Sequence, residues 1–157
     1  MKNSSLTKAI SYKDFKKEVL DDYKTILISR EASLLGRKEV LSGKAKFGIF
    51  GDGKELPQVA MAKVFEKGDF RSGYYRDQTF MFSIDELTVQ QFFAGLYANT
   101  NFDEEPMSGG RQMGSHFSSV FIDENGKFKD LPNQYNISSD ISPTSGQMPR
   151  LLGLAMA

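Results

Sequence analysis

The stretch Gly109-Gly110-Arg111-Gln112-Met113-Gly114-Ser115-His116-Phe117 contains the only histidine of this 157-residue chain. Histidine has an unperturbed pKa near neutral pH, so it can exchange a proton or donate a hydrogen bond under physiological conditions. The glycines let backbone N–H groups approach a ligand, and Arg111 offers a planar guanidinium to an anion. The stretch therefore predicts a polar site. The alternative is a surface loop with a solvated histidine.

The composition excludes several classes of partner and site. Lys and Arg total 20, as do Asp and Glu, so the chain lacks the positive field that nucleic acid or an anionic membrane attracts. Cysteine is absent, which excludes disulfides and thiolate zinc sites and is consistent with a cytoplasmic protein. Residues 1–10 lack the apolar segment of a signal peptide, and no run approaches the ~18 apolar residues of a membrane helix. We expect one cytoplasmic domain, or part of a larger one, without nucleic-acid or membrane partners.

Helical periodicity predicts a long first helix from Tyr12 towards Leu41, with Ser11 and Asp14 as a capping box. Apolar residues recur along it three or four positions apart, and we expect this face to pack on the core. They are Phe15, Val19, Tyr23, Ile26 and Leu27.

Four further elements are predicted from local signals. A largely buried second helix begins near Pro57 and ends before Lys67-Gly68-Asp69. A third helix follows a capping box at residues 83–86 and ends around Asn99. Asn125-Gly126 indicates the turn of a β-hairpin over residues 120–129, and residues 47–50 suggest a brief strand or an extended segment.

Gly51-Asp52-Gly53 resembles the opening of a magnesium-binding motif, which also needs an Asn about 25–30 residues later. Residues 76–83 contain no Asn, so we interpret the triplet as a turn before the second helix. A nucleotide-binding role is not supported, because no Gly-x-Gly-x-x-Gly or Lys-Ser/Thr context accompanies it.

Two other segments are candidates for ligand binding. Tyr75-Arg76 follows a short extended piece, where a hydroxyl and a guanidinium can bind one phosphate; the alternative is a strand-end salt bridge. The polar loop 137–149 precedes a small-residue helix from Leu151 and can offer N–H and C=O groups to a heterocycle or a cation. This helix is still apolar at Ala157, so we expect the chain to be truncated there.

Four motifs, in this order and spacing, resemble the N-terminal part of the α-type region of thiamine-diphosphate-dependent 2-oxo acid dehydrogenases. They are Gly53-Lys54-Glu55, Tyr75-Arg76, the run 110–117 and the run 142–149, and the resemblance extends from about Tyr23 to Ala157. The Gly-Arg-Gln-Met spelling is closer to branched-chain enzymes than to pyruvate or acetoin enzymes. The resemblance implies an α/β thiamin-diphosphate-binding fold, incomplete over residues 1–157, that is helix-rich with short strands and one β-hairpin.

The resemblance also implies roles for individual residues. Tyr75 and Arg76 would contact the cofactor diphosphate, and the backbone of Ser142 and Thr144 would bind the aminopyrimidine ring. His116 would lie near the active-site entrance and order its loop rather than act as the base. We expect no other candidate catalytic residue in this chain.

Metal sites follow from the same resemblance. Relatives hold a structural potassium ion at the positions of Ile141, Pro143 and Gln147, but Gly146 stands where they have a hydroxyl residue, so one oxygen ligand is missing. The magnesium ligands would fall after Ala157. The glutamate that activates the aminopyrimidine would belong to the β-type region.

The implied reaction is oxidative decarboxylation of a branched-chain 2-oxo acid such as 3-methyl-2-oxobutanoate, with acyl transfer to lipoamide. The implied partners in this multienzyme complex are a β-type region, fused or separate, and a lipoyl-bearing acyltransferase core, in a homo- or hetero-oligomer. The isolated fragment is expected to be inactive. The alternatives are pyruvate or acetoin dehydrogenase of the same family, or a non-catalytic assembly domain.

Overall fold

A computed structural model describes residues 10–157 of the chain. The expectation that the first residues form no signal peptide falls on residues 1–9 and lies outside this range. The helices are α1 (Tyr12–Leu41), α2 (Glu55–Ala62), α3 (Gln78–Ser83), α4 (Val89–Leu96) and α5 (Gln147–Met156). The strands are β1 (Phe70–Ser72) and β2 (Asn136–Ser138), and a 3₁₀ turn covers Leu131–Asn133.

The two strands form a parallel pair in which Arg71 is aligned with Ile137. Parallel strands end at the same edge of a sheet, so the turn after β1 and the loop after β2 lie side by side. Ile137 belongs to the apolar core, which gathers around α3 and includes Phe80, Met81 and Phe92. Within residues 10–157, the five helices and the parallel pair of strands confirm the helix-rich α/β class expected from the sequence.

The bounds of α1 agree with the prediction. The Ser11 side chain accepts a hydrogen bond from the Asp14 N–H at 3.1 Å, which caps the first turn. At the other end, Gly43 follows the C-cap with φ +77°, a conformation that glycine adopts without strain.

The predicted core face of α1 is wrong. Of its five residues, four are at least 42% exposed, namely Phe15, Val19, Tyr23 and Leu27. The helix instead packs through small residues, which let its backbone come close to α3. The Ser29 hydroxyl lies 2.6 Å from the Thr79 hydroxyl, and the Gln78 amide donates to Ser33 Oγ at 2.7 Å.

Helix boundaries further along the chain differ from the prediction. Residues 83–86 are not a capping box, because Ser83 ends α3, a helix that the sequence analysis missed. The box that starts α4 is formed by Thr88 and Gln91. Helix α2 begins at Glu55 and ends at Ala62, which leaves Val64 exposed.

The β structure and the last helix also need correction. Residues 137 and 138, predicted as loop, belong to β2, and α5 begins at Gln147 rather than at Leu151. The predicted hairpin is reduced to one antiparallel bridge, Ile122 with Phe128, across the expected turn at Gly126. Residues 47–50 form no strand. Within residues 10–157, no helix is both long and apolar enough to cross a membrane.

Candidate functional site

A cluster of polar and aromatic side chains lies where the two strands end. The Tyr74 and Tyr75 hydroxyls share a hydrogen bond of 2.6 Å. This bond, with a smaller contribution from the Thr144 side chain, lowers the pKa of Tyr74. The Tyr75 ring stacks on the His116 ring, with 5.7 Å between the centroids, and His116 Nε2 lies 2.8 Å from Ser142 Oγ. Four residues predicted from separate parts of the sequence, Tyr75, His116, Ser142 and Thr144, therefore meet at one sheet edge.

The hydrogen bonds of His116 define its tautomer. Its Nδ1 lies 3.1 Å from the Met113 carbonyl and 3.4 Å from the Gly114 carbonyl. Carbonyl oxygens only accept, so Nδ1 carries a proton, and in the neutral ring Nε2 accepts from the Ser142 hydroxyl. The residue is only 6% exposed, so the alternative of a solvated surface histidine is wrong.

Arg76 lies against the same aromatic pair. Its guanidinium carbon is 5.6 Å from the Tyr75 ring centroid and 5.9 Å from that of Tyr74. Its Nε is buried without a hydrogen-bond partner, and among residues 10–157 no carboxylate lies within ion-pair distance of it. A buried guanidinium donor without a partner fits an anionic ligand such as a diphosphate. The salt bridge at the end of β1 does exist, but Arg71 makes it.

The Arg71 cluster is a part of the site that the sequence analysis missed. Arg71 donates to Asp77 at 2.6 Å and to Asp140 at 3.4 Å. Burial raises the pKa of Asp140 to about 6, although the positive charge of Arg71 opposes this shift. The available signal was an arginine in the middle of a short extended segment, a position that buries a charge only when partners are present.

Glu105 is a second missed residue, and it shapes the approach to His116. Its buried carboxylate accepts hydrogen bonds from the N–H groups of Met107, Ser108 and Gly110 and from the Ser108 hydroxyl, at 2.7–3.1 Å. These donors are therefore occupied, and the expectation that the glycines expose N–H groups to a ligand does not hold at Gly110. This glycine is needed for the chain path, because it has φ +71° and a Cβ there would lie 2.5 Å from the Ala98 carbonyl oxygen.

Arg111 does not join the cluster. Its guanidinium lies over the Phe102 ring at 5.0 Å and donates to the Ser108 carbonyl at 3.2 Å. The residue is exposed, so it packs along the outer side of the loop.

The residues of the predicted potassium site lie between β2 and the first turn of α5. The Pro143 carbonyl accepts the Gly146 N–H at 3.0 Å, and the Gln147 side-chain oxygen is buried without a hydrogen-bond partner. A Cβ at Gly146 would lie 2.5 Å from the Ile141 side chain, so a larger residue there requires Ile141 to move. One free buried oxygen is present, and the potassium site stays a prediction.

Gly51-Asp52-Gly53 forms a turn, as interpreted from the sequence. Asp52 pairs with Arg37, and the Gly53 N–H donates to both oxygens of Glu55. Arg30 binds the same Glu55 carboxylate through two nitrogens, at 2.6 and 2.9 Å, and mainly for this reason the pKa of Glu55 falls to about 2. An open pocket of about 440 Å³ is lined by Arg76 together with residues of α1 and of the segment 48–54, and Tyr75, His116, Ser142 and Thr144 do not contribute to its walls.

The sequence is similar to the 2-oxoisovalerate dehydrogenase subunit alpha of Bacillus subtilis (strain 168), with 31% identity over 145 residues. The match covers 89% of this chain and 38% of that protein, so the chain spans less than half the length of this relative. No family model matches the sequence. The resemblance inferred from the four motifs is confirmed by this homology.

Proposed function

We propose that this chain, a homologue of part of a 2-oxo acid dehydrogenase α subunit, anchors thiamine diphosphate in a decarboxylating dehydrogenase. The observation that carries the proposal is the meeting of Tyr75, Arg76, His116, Ser142 and Thr144 at one sheet edge. These residues come from three separate segments, and two of those segments follow the paired strands. In open α/β sheets, ligands bind outside the carboxyl ends of parallel strands, which is where this cluster lies.

The proposed role of the chain is binding and orientation. Arg76 binds diphosphate oxygens through its planar guanidinium, which lies over the rings of Tyr74 and Tyr75. The loop with Ser142 and Thr144 holds the aminopyrimidine through backbone groups, and the hydrogen bond from Ser142 to His116 keeps that loop against the stretch 109–117. Thiamine diphosphate, when bound, supplies the nucleophilic carbon and the electron sink for decarboxylation.

The finer assignments rest on the similarity and its motifs. We propose a branched-chain 2-oxo acid such as 3-methyl-2-oxobutanoate as substrate, because the similar Bacillus subtilis protein is named for 2-oxoisovalerate. Pyruvate or acetoin is the alternative. We also propose magnesium as a second cofactor, a β-type region as the partner that completes the site, and a lipoyl-bearing acyltransferase as the acceptor of the acyl group.

The test is calorimetric titration of the full-length protein with thiamine diphosphate and with thiamine, each in the presence of Mg²⁺. If the diphosphate is bound through Arg76 and its neighbours, thiamine diphosphate binds and thiamine binds at least tenfold more weakly. Equal affinity for the two compounds would contradict diphosphate anchoring. Absence of binding by both would favour the non-catalytic assembly domain.

A further inference from the structure

We propose that Arg71 is a positioning residue that fixes the two halves of this site relative to each other. The first half is the turn 74–77, which carries Tyr75 and Arg76, and the second is the loop 139–146, which carries Ser142 and Thr144. The consequence for cofactor binding rests on the proposed function. The positioning itself rests on the contacts of Arg71 alone.

The contact with the first half is made through Asp77. Arg71 Nη2 donates to Asp77 Oδ2 at 2.6 Å. The same carboxylate oxygen accepts the Tyr74 N–H at 2.9 Å. Asp77 therefore closes the turn 74–77, and Arg71 ties this turn to β1.

The contact with the second half is made through Asp140, two residues after β2. Arg71 Nη1 donates to Asp140 Oδ1 at 3.4 Å, and the Asp140 N–H donates to the Phe117 carbonyl at 2.9 Å. Phe117 directly follows His116. One guanidinium thus connects the turn after β1, the loop after β2 and the histidine stretch.

Arginine suits this position better than any other residue. The side chain is 6% exposed and faces two carboxylates, which would repel each other if the cation were removed. A lysine has a single nitrogen and cannot present two separated donors in a fixed fork. The guanidinium also lies 5.1 Å from the Phe80 ring centroid, which anchors it on the core.

Gly73 makes room for the guanidinium. A Cβ at this position would lie 1.7 Å from Arg71 Nη2 and 1.8 Å from its Cζ. Backbone conformation does not demand glycine here, since Gly73 is not among the residues with positive φ. Alanine at residue 73 would therefore displace the guanidinium while leaving its charge in place.

The ion pair of Arg30 with Glu55 provides a control elsewhere in the fold. Arg30 also donates two hydrogen bonds, but both reach the single carboxylate of Glu55, which is 4% exposed, and they tie α1 to the start of α2 from an arginine side chain that is 43% exposed. If Arg71 acted only as a structural ion pair, losing it would have the same kind of effect as losing Arg30. A positioning role predicts a local effect at the site that the Arg30 variant does not show.

The experiment compares full-length wild type, R71M, R71K, G73A and R30M in two measurements. Hydrogen exchange without cofactor reports on the two halves directly. We expect R71M and G73A to exchange at least tenfold faster in both 74–77 and 139–146, and R30M to leave both segments unchanged. Calorimetric titration with thiamine diphosphate and Mg²⁺ should give a Kd at least tenfold higher for R71M, at least threefold higher for R71K, and within twofold of wild type for R30M.

The outcomes separate the two proposals. Unchanged exchange in R71M or, if that variant does not fold, in G73A would overturn the positioning role. Faster exchange together with no binding by the wild type would leave the positioning role standing and reject the proposed function. Wild-type binding with an unaltered Kd in R71M would reject only the link between Arg71 and the cofactor.

Discussion

His116 Nε2 lies 2.8 Å from Ser142 Oγ, and this contact joins two segments that are 26 residues apart in the chain. Because Nδ1 is committed to the Met113 and Gly114 carbonyls, Ser142 is the donor to the neutral ring. The histidine therefore holds a loop in place with both nitrogens occupied. This arrangement supports an ordering role and leaves no free nitrogen for proton abstraction in this conformation.

Removing the Ser142 hydroxyl is expected to destabilise the fold. S142A removes the hydrogen bond to His116 Nε2, and because Ser142 is exposed, water can take the place of its hydroxyl, so we expect a loss of about 0.5–1.5 kcal/mol of unfolding free energy. Urea unfolding measures the change. S139A is the control, since Ser139 is exposed like Ser142 but its side chain makes no hydrogen bond within residues 10–157, and it should stay within about 0.5 kcal/mol of wild type. Equal stability of the two variants would show that the contact is dispensable.

Arg76 is expected to matter for ligand binding and little for stability. R76A should weaken thiamine diphosphate binding by about 1.5–3 kcal/mol, the scale of hydrogen bonds to a charged group. The unfolding temperature without cofactor should change little, because no carboxylate pairs with Arg76 among residues 10–157. R111A, which removes an exposed arginine outside the cluster, should keep the wild-type Kd. An R76A affinity equal to that of wild type would reject the diphosphate contact.

Local signals predicted the parts of the fold that depend on neighbouring residues. The bounds of α1 were predictable because Ser11, Asp14 and Gly43 act within one turn of each helix end. The packing face of α1 was not predictable from the sequence. The contact is made by Ser29 and Ser33, which are small enough to let α1 approach α3 and which hydrogen-bond to it. Hydrophobic periodicity cannot detect such a contact.

In the candidate site, too, some residues were predictable from local motifs and others were not. Tyr75, His116, Ser142 and Thr144 were found from motifs, and the structure places them together. The motifs did not reveal Arg71 and Asp140, because these two residues meet only after β1 pairs with β2. They did not reveal Glu105 either, because its carboxylate binds its partners only once the loop has closed. Strand β2 itself has only three residues, too few for a reliable alternation pattern.

Glu105 is expected to be required for the shape of the loop that leads to His116. In E105Q, an amide NH₂ replaces one oxygen, so at least the Met107 N–H loses its acceptor and the remaining bonds no longer reach a charged group, and we expect a loss of about 1.5–3 kcal/mol in unfolding free energy. Chemical denaturation measures this loss. E124Q is the matched control, because Glu124 is exposed in the 120–129 turn region. If both variants unfold at the same denaturant concentration, the carboxylate does not organise the loop.

The free energy of unfolding should depend on pH through the ionisation of Glu55. Its pKa falls from the ordinary 4.5 to about 2 in the folded protein, so the folded state favours the ionised form. Its stabilising contribution is therefore complete above pH 4.5 and is lost as the pH falls from 4.5 towards 2. The raised pKa of Asp140 acts in the opposite direction, because protonation below about pH 6 favours the folded state.

The difference between wild type and E55Q isolates the Glu55 contribution, since Asp140 contributes equally to both proteins. We expect this difference to be about 2 kcal/mol at pH 6, the scale of hydrogen bonds from Arg30 and Gly53 to a carboxylate. It should shrink steadily between pH 4.5 and 2, as measured by urea unfolding across this range. A difference that is constant with pH would mean that Glu55 does not gain its partners on folding, and α1 would then be attached to α2 by packing and by the pairing of Lys63 with Glu18 and Asp22.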